Sequence, residues 1–194
     1  MPFDLLLKNV ARNIRLDDAE TAVFISYLEN TTLKKKQFWL TEGEICRYSA
    51  FVTAGCLRGY TVDHGGVEHV LGFAPPDWWM ADMYSLISQK PGTLYIESLE
   101  DTELILLSKV NQEKLYLEVP KFERFFRILI EKSLVANQQR IVDNMSLTAE
   151  ERYNIFCKRY PTLINTLPQK QLASYIDVTP EFFSRMRSGL LRKK

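Results

Sequence analysis

The chain has 194 residues, of which 46% are hydrophobic and 25% are charged, and its formal net charge is +1. This length allows one large domain or two small ones, and the composition argues against a disordered, collagen-like or low-complexity chain. No apolar run reaches membrane-spanning length, and the first residues lack the basic and apolar regions of a secretory signal. We therefore expect a cytoplasmic protein with no membrane partner.

The cysteines and histidines argue against metal and catalytic chemistry. Cys46, Cys56 and Cys157 lie far apart without a CxxC pair, so we expect reduced thiols rather than a zinc, iron–sulfur or disulfide framework. His64 falls in an apparent turn and His69 alternates with apolar neighbours, and the spaced histidine cluster of a metal enzyme is absent. We predict no metal, no cofactor and no enzyme activity. A metal-dependent enzyme of the cupin type is the most distant alternative.

The first hundred residues change from a helical to a strand pattern. Residues 4–30 show apolar side chains at helical spacing, with Asp17 and Asp18 as the cap between two predicted helices. From about Thr32, short apolar segments alternate with Gly or Pro turns, which is typical of a β-sandwich or barrel. A short helix is predicted from Trp79 to Leu86. The predicted strands are residues 38–40, 51–53, 57–62, 67–73, 95–99 and 104–107.

A long helix is predicted after a short polar helix at 111–118, with Pro120 in its first turn. The apolar surface of such a helix must be buried by its own domain and by something else, and a partner helix in a homodimer would bury the remainder. Ser133 and Asn137 would fix the register of that seam. The alternative is an ordinary buried helix of a monomer. The predicted dimer interface consists of Phe122, Phe126, Leu129, Ser133, Asn137 and Ile141.

The last fifty residues have a helical pattern that fits a helix-turn-helix. Thr148 with Glu151, and Thr166 with Gln169, form two predicted capping boxes. A first helix follows over 169–176, a turn over 177–179 and a second helix from 180 onwards. In that turn Asp177 takes the position that needs a positive φ, Thr179 caps the second helix and Pro180 opens it.

The outward side chains of this motif predict binding to double-stranded DNA, because a recognition helix contacts base edges in the major groove. Arg185 can bind a guanine bidentately, and Glu181 can accept from a cytosine amino group. Lys170, Arg187 and residues 192–194 are placed for phosphates. A plain helical hairpin with a solvated basic face is the alternative. The predicted DNA-binding residues are Gln169, Lys170, Thr179, Pro180, Glu181, Ser184, Arg185 and Arg187.

These stretches resemble the cyclic AMP receptor protein / fumarate–nitrate reduction regulator (Crp/Fnr) superfamily of bacterial transcription factors. The resemblance covers about residues 5–188 and is most specific in LASYI at 172–176 and TPEFFSR at 179–185. It implies an α+β fold with an N-terminal double-stranded β-roll (1–118), a dimerisation helix (119–145) and an all-α helix-turn-helix domain (146–194). It also implies a homodimer on palindromic DNA, with RNA polymerase as a further partner.

The cyclic-nucleotide chemistry of the superfamily is missing from this chain. Members that bind a cyclic nucleotide carry a Gly-Glu-Leu segment, whose Glu holds the ribose, and a later Arg that neutralises the phosphate. The matching positions here read Ala81-Asp82-Met83 and Gly92-Thr93, with no Arg near Gly92. Because an unpaired buried phosphate is very costly, we expect no cyclic nucleotide. The candidate effector pocket at Asp82, Met83, Gly92 and Thr93 would hold a different, more apolar molecule or none.

Charge is unevenly distributed along the chain. Residues 1–145 hold 16 Lys and Arg against 20 Asp and Glu, a net charge of −4, whereas residues 146–194 hold 9 against 4, a net charge of +5. The near-neutral total thus hides a basic C-terminal region. Residues 189–194 are too short for the β-hairpin wing of many members, so either the wing is absent or this tail acts as a basic arm.

Two functions stay open from the sequence. The first is a homodimeric DNA-binding regulator. The second is a β-roll module for ligand or protein binding, whose helical tail has lost DNA binding.

Overall fold

A computed structural model describes residues 3–192 and the side chains of residues 3–190. The chain begins with α1 (Asp4–Ala11) and α2 (Asp18–Ser26). The predicted cap of α2 is confirmed, because Asp17 Oδ1 accepts from the Glu20 N–H at 2.8 Å and the Asp17 N–H donates to Glu20 Oε2 at 2.9 Å. The predicted helix to residue 30 is wrong at its end, because Leu28 pairs with β-sheet residue Leu107.

Two four-stranded sheets form the β-roll that the sequence predicts. Their strand orders are β1-β8-β3-β6 and β2-β7-β4-β5. The sequence missed β1 because its polar residues, LENTTL, show little strand pattern, and antiparallel pairing with β8 places it in the sheet. The strands are β1 (Leu28–Leu33), β2 (Phe38–Leu40), β3 (Tyr48–Ala54), β4 (Leu57–Val62), β5 (Glu68–Ala74), β6 (Trp79–Met80), β7 (Tyr95–Ser98) and β8 (Thr102–Ser108).

The segment from Trp79 to Leu86 is only partly the predicted helix. Trp79 and Met80 form β6 and pair with Phe51 and Ala50 of β3. The Trp79 ring lies 5.3 Å from the Phe51 ring, and this packing favours the extended backbone there. The helix α3 (Met83–Ser88) begins afterwards.

Two apolar clusters hold the β-roll and its flanking helices together. The first lies between the sheets and includes Leu57, Ile96 and Leu104. The second joins the N-terminal helices to α4 (Lys109–Glu118) and to the first turns of α5 (Lys121–Ser146). Burial of each large apolar side chain contributes about 1.5–3 kcal/mol, so these clusters dominate the stability of the β-roll.

The C-terminal region is all helical, as predicted, with α6 (Ala149–Arg159), α7 (Gln169–Tyr175) and α8 (Pro180–Arg192). The first predicted capping box is confirmed. The Glu151 N–H donates to Thr148 Oγ1 at 3.3 Å, and the Thr148 N–H donates to Glu151 Oε2 at 2.9 Å. These hydrogen bonds hold the pKa of Glu151 below its usual range.

The chain divides into two compact units. The first comprises Met1–Thr61 and Gly72–Lys132, and the second comprises Val62–Leu71 and Ser133–Lys194. The boundary falls inside α5, and the tip of the β4–β5 hairpin belongs to the second unit. The predicted domain boundaries at residues 118 and 145 separate regions of different expected function, and they stay predictions.

Cys46, Cys56 and Cys157 are free thiols in the structure. Cys46 and Cys56 are buried, whereas Cys157 is half-buried. Burial raises the pKa of the Cys56 thiol to about 12 and also raises the pKa of Cys46. Because the thiolate is the reactive form, these two buried thiols are unreactive near neutral pH.

Candidate nucleic-acid interface and ligand pocket

The first helix of the motif, α7, starts two residues later than the second predicted capping box requires. Pro168 stands at its N-cap and provides no side-chain hydrogen bond. The Thr166 hydroxyl instead donates back to the Leu163 carbonyl at 3.3 Å. The prediction of a box between Thr166 and Gln169 is therefore wrong, since Gln169 is already the first helical residue.

The turn after α7 has the predicted geometry. Asp177 adopts a φ of +56°, a left-handed conformation that Asp tolerates better than most residues. The Val178 N–H donates to the Ala173 carbonyl at 3.0 Å and closes the turn. Leu172 and Ile176 are buried as predicted, so the apolar side of the turn is fixed by packing.

Arg152 of α6 donates hydrogen bonds to this turn through its guanidinium group. Its Nε donates to the Ile176 carbonyl at 2.9 Å, and Nη2 donates to the Asp177 carbonyl at 3.4 Å. Its Nη1 donates to the Leu147 carbonyl at 2.7 Å. The bonds to Ile176 and Asp177 satisfy carbonyls at the end of α7 that the helix itself leaves free. Sequence reasoning missed Arg152, because no local pattern signals a contact across 24 residues.

The second helix of the motif, α8, is anchored at its start. Thr179 Oγ1 accepts from the Phe182 N–H at 3.3 Å, which confirms the predicted cap. Phe183 is fully buried and packs against the Tyr153 ring, with ring centroids 5.4 Å apart. The helix continues through Gly189, so no wing begins there within the described residues.

All of the predicted DNA-binding residues lie at least partly at the surface. Those with exposed side chains are Gln169, Lys170, Thr179, Pro180, Glu181, Ser184 and Arg185, and Arg187 is half-buried. Within the described part of the chain, Lys170 and Arg185 form no ion pair. Their charges are thus available to an external anion. Lys193 and Lys194 of the predicted basic tail lie outside the described residues.

The tip of the β4–β5 hairpin, residues 62–71, is bonded to α7. Ser174 Oγ accepts from the Val70 N–H at 2.9 Å and donates to the Glu68 carbonyl at 2.6 Å. Arg140 of α5 donates to the Val70 carbonyl at 2.9 Å, and its guanidinium lies 4.5 Å from the centre of the Tyr175 ring. These contacts orient α7. The sequence carries no signal for the Ser174 hydrogen bonds, because Ser174 and its partners stand 104 and 106 residues apart.

The two histidines lie on the same hairpin and are both exposed. His69 Nε2 lies 2.9 Å from Asp63 Oδ2, and this contact lowers the pKa of Asp63. In the described part of the chain, no group of three or more His, Cys, Asp or Glu side chains could hold a metal ion.

The predicted dimer stripe on α5 divides into a buried and an exposed part. Phe122 is 0% exposed and Phe126 is 6% exposed, and both pack in the core of the first unit. The Phe122 ring lies 4.4 Å from the Phe24 ring. This placement corrects the prediction for Phe122 and Phe126, whose rings are covered by their own chain. Leu129 also packs against this core.

The exposed part of α5 carries a stripe of apolar side chains. Ser133, Asn137 and Ile141 are exposed as predicted, and they lie among large apolar side chains that are exposed too. Ile130, Leu134, Ile141 and Met145 follow one another at spacings of four, seven and four residues, which places them on one helix face, typical of a two-helix seam. The exposed apolar side chains of α5 are Ile130, Leu134, Val135, Ile141, Val142 and Met145.

The candidate effector pocket lies in residues 82–93, which we call the α3 segment. Asp82 is 3% exposed and caps α3, with Oδ1 accepting from the Ser85 N–H at 3.0 Å. Its Oδ2 has no hydrogen-bond partner among the described residues. The Ser85 hydroxyl donates to the Lys90 carbonyl at 2.6 Å and accepts from the Cys46 N–H at 2.9 Å. The polar groups of this segment, apart from Asp82 Oδ2, therefore bond to one another and to residues 43–46.

Gly92 packs directly against the Asp82 carboxylate within the α3 segment. A Cβ atom added to Gly92 would overlap Asp82 Oδ2, so the carboxylate rests directly against the glycine. The Gly92 N–H donates to the Glu44 carbonyl at 3.0 Å and is not free for a phosphate. Met83 and Thr93 are exposed. The structure thus brings together Asp82 and Gly92 of the predicted pocket and leaves the other two residues at the surface.

Solved structures with the same arrangement of elements come from bacterial regulators. FixK2 from Bradyrhizobium japonicum superposes with a TM-score of 0.75 at 20% identity, over 86% of this chain and 85% of that chain. CLP, described as a c-di-GMP responsive global regulator of Xanthomonas campestris, gives 0.73 at 13% identity, over 91% and 93%. A putative Crp/Fnr regulator from Eubacterium rectale gives 0.70 at 15% identity, over 92% and 85%. The chain has the Crp/Fnr fold.

The Crp/Fnr fold confirms the predicted fold class, with its β-roll, long helix and helix-turn-helix in that order. No family model and no curated protein matches the sequence. None of the helices in the described residues is long and apolar enough to cross a membrane.

Proposed function

We propose that the chain is a homodimeric bacterial transcription regulator that binds a palindromic DNA site through α7 and α8. The observation that carries this proposal is the surface of α8. Its buried face is anchored by Phe183, its first turn is capped by Thr179, and its outer face presents Glu181, Ser184 and Arg185. Rigid presentation of a few polar side chains on one helix is what reading of base edges requires.

Arg185 and Glu181 are the proposed base-reading residues. Arg185 stands on the outer face in the second turn of α8 without an ion-pair partner in the described chain, so its guanidinium can meet guanine O6 and N7. Glu181 in the first turn can accept a hydrogen bond from a cytosine amino group. The two residues are one helical turn apart and would contact neighbouring base pairs.

Phosphate contacts would come from the start of α7. Lys170 and Gln169 are exposed in its first turn. Lys170 supplies a positive charge that can pair with a phosphate oxygen. The net charge of +5 over residues 146–194 supports this role.

Dimerisation would occur through the exposed apolar stripe of α5. Leu134, Ile141 and Met145 would face the same residues of a second copy, and Asn137 would fix the register. A palindromic DNA site matches a two-fold symmetric dimer. We expect Leu134→Asp to give a monomer by sedimentation velocity, whereas Lys132→Asp, on the far side of the helix, leaves the dimer intact.

Cyclic nucleotides have no part in this proposal. The Gly92 N–H already donates to the Glu44 carbonyl, and the buried Asp82 carboxylate would repel a phosphate. The cation of the segment, Lys90, is exposed rather than buried beside Gly92. An effector would have to be a more apolar molecule that meets the exposed Met83 and Thr93. RNA polymerase is the further partner that the family resemblance implies, and the proposed site of action is the cytoplasm.

Selection from a pool of random duplexes tests this function. The full chain is incubated with the pool at low salt, and bound DNA is amplified and sequenced over several rounds. We expect enrichment of one palindrome whose half-sites are about one helical turn apart. A pool that shows no enrichment would support the second function, a β-roll module without DNA binding.

A matched control separates recognition from general charge. Lys158 is an exposed cation on α6, outside the proposed interface. We expect Lys158→Ala to select the same palindrome as the wild type. If instead it changed the selected sequence, the assignment of α8 as the reading helix would be wrong.

A further inference from the structure

One large apolar side chain stands exposed on α8 among polar neighbours. Phe182 is 44% exposed, although the adjacent Phe183 is fully buried. Phe182 has no ring contact with another aromatic residue in the described part of the chain. An exposed phenyl ring leaves apolar surface in water without a packing benefit in the free protein.

The position of Phe182 on the helix is well defined. Its N–H donates to Thr179 Oγ1 at 3.3 Å, which ties the first turn of α8 to the cap. Arg185 stands three residues later and is therefore its neighbour on the helix surface. The ring thus lies beside the residue proposed to contact a guanine, at the end of the helix that enters the groove.

We propose that the Phe182 ring contacts the C5-methyl group of a thymine in each half-site, next to the base pair contacted by Arg185. This inference rests on the proposed function. Thymine is the base that presents a methyl group in the major groove, and apolar side chains such as Phe recognise it. The polar and cationic surroundings of Phe182 favour DNA over an apolar protein surface as its partner.

Replacing thymine by deoxyuridine removes only this methyl group, and it therefore provides a direct test. Each thymine of the selected half-site is replaced in turn, symmetrically in both halves. Binding of the full chain is measured by fluorescence anisotropy at one fixed salt concentration. At one position we expect about a fourfold loss of affinity per half-site, the effect of burying one methyl-sized apolar group.

Two variants assign that loss to Phe182. Phe182→Ala should bind the thymine and uracil duplexes equally, whereas Phe182→Leu, which keeps an apolar side chain, should retain part of the preference. Arg185→Ala should keep the full preference for thymine, because it removes a different contact. Circular dichroism of each variant checks that the helices are retained.

Other outcomes overturn the inference in distinguishable ways. Equal binding to all uracil-substituted duplexes, with the palindrome still recognised, contradicts the role of Phe182 and leaves the proposed function intact. A thymine preference that persists in Phe182→Ala also contradicts it. Failure of the wild type to bind any duplex overturns both the inference and the proposed function.

Discussion

The α3 segment and the helix-turn-helix differ in what their polar groups contact. In the α3 segment, Asp82, Ser85 and Gly92 hydrogen-bond or pack against their own chain. In the helix-turn-helix, Lys170 and Arg185 point to solvent. Apart from Asp82 Oδ2, which would repel an anionic ligand, these buried polar groups are used by their own chain, whereas the exposed charges of the helix-turn-helix are available to an anion. This difference supports the proposed binding surface on the helix-turn-helix.

Arg185→Ala should give the largest effect on the helix-turn-helix side. Each bidentate contact to a guanine contributes about 1–3 kcal/mol, and a dimer on a palindrome loses two of them. We expect at least about a 30-fold loss of affinity for the selected palindrome, measured by anisotropy, with little change for random duplex. An unchanged affinity would show that α8 does not read the DNA.

Gly92→Ala should give the largest effect on the α3 side. The new methyl group would overlap Asp82 Oδ2 and displace the carboxylate from its cap, at a cost of about 1–3 kcal/mol of unfolding free energy. Chemical denaturation measures this cost. Gly72→Ala is the matched control, because a Cβ there meets nothing within 4 Å. Equal stability of both variants would mean that the α3 segment is not closed.

Lys170→Ala should have a smaller and non-specific effect. Loss of one phosphate contact per protomer weakens binding to all sequences alike and makes the slope of log affinity against log salt about two units shallower for the dimer. A salt titration on the palindrome and on random duplex measures both. A loss confined to the palindrome would instead make Lys170 a base-reading residue.

The smallest expected effect concerns the pH dependence of the α6 cap. The pKa of Glu151 is lowered in the folded chain, so this carboxylate stabilises the fold above its ordinary pKa and loses that contribution as the pH falls through the folded value. The unfolding temperatures of wild type and Glu151→Gln should therefore differ at pH 7 and approach each other as the pH falls below the ordinary pKa of a glutamate. A difference that grows towards acid pH would contradict this sign.

Local sequence signals predicted the helix-turn-helix well. Asp177, Thr179 and Pro180 act through their own backbone or through residues three positions away, so their roles follow from residue type and spacing. Arg152 of α6, which bonds to the turn of the motif, and Ser174 of α7, which bonds to the β4–β5 hairpin, were missed because their partners are distant in sequence. Such contacts depend on the tertiary fold.

Errors on α5 and in the β-roll have a similar origin. Helical spacing identified the long helix but could not tell which apolar face its own domain would cover, and so Phe122 and Phe126 were assigned to the partner. The strand β1 carries Glu and Asn and was missed, because pairing with β8 rather than its own composition determines its conformation.

The central claim is that this chain binds DNA in a sequence-specific way without a cyclic nucleotide. The most direct test is the dissociation constant of the full chain for the selected palindrome, measured with and without cyclic AMP and cyclic GMP. We predict the same constant in all three conditions, well below that for a scrambled duplex. A nucleotide-dependent gain of tenfold or more, or equal binding to palindrome and scrambled duplex, would contradict the claim.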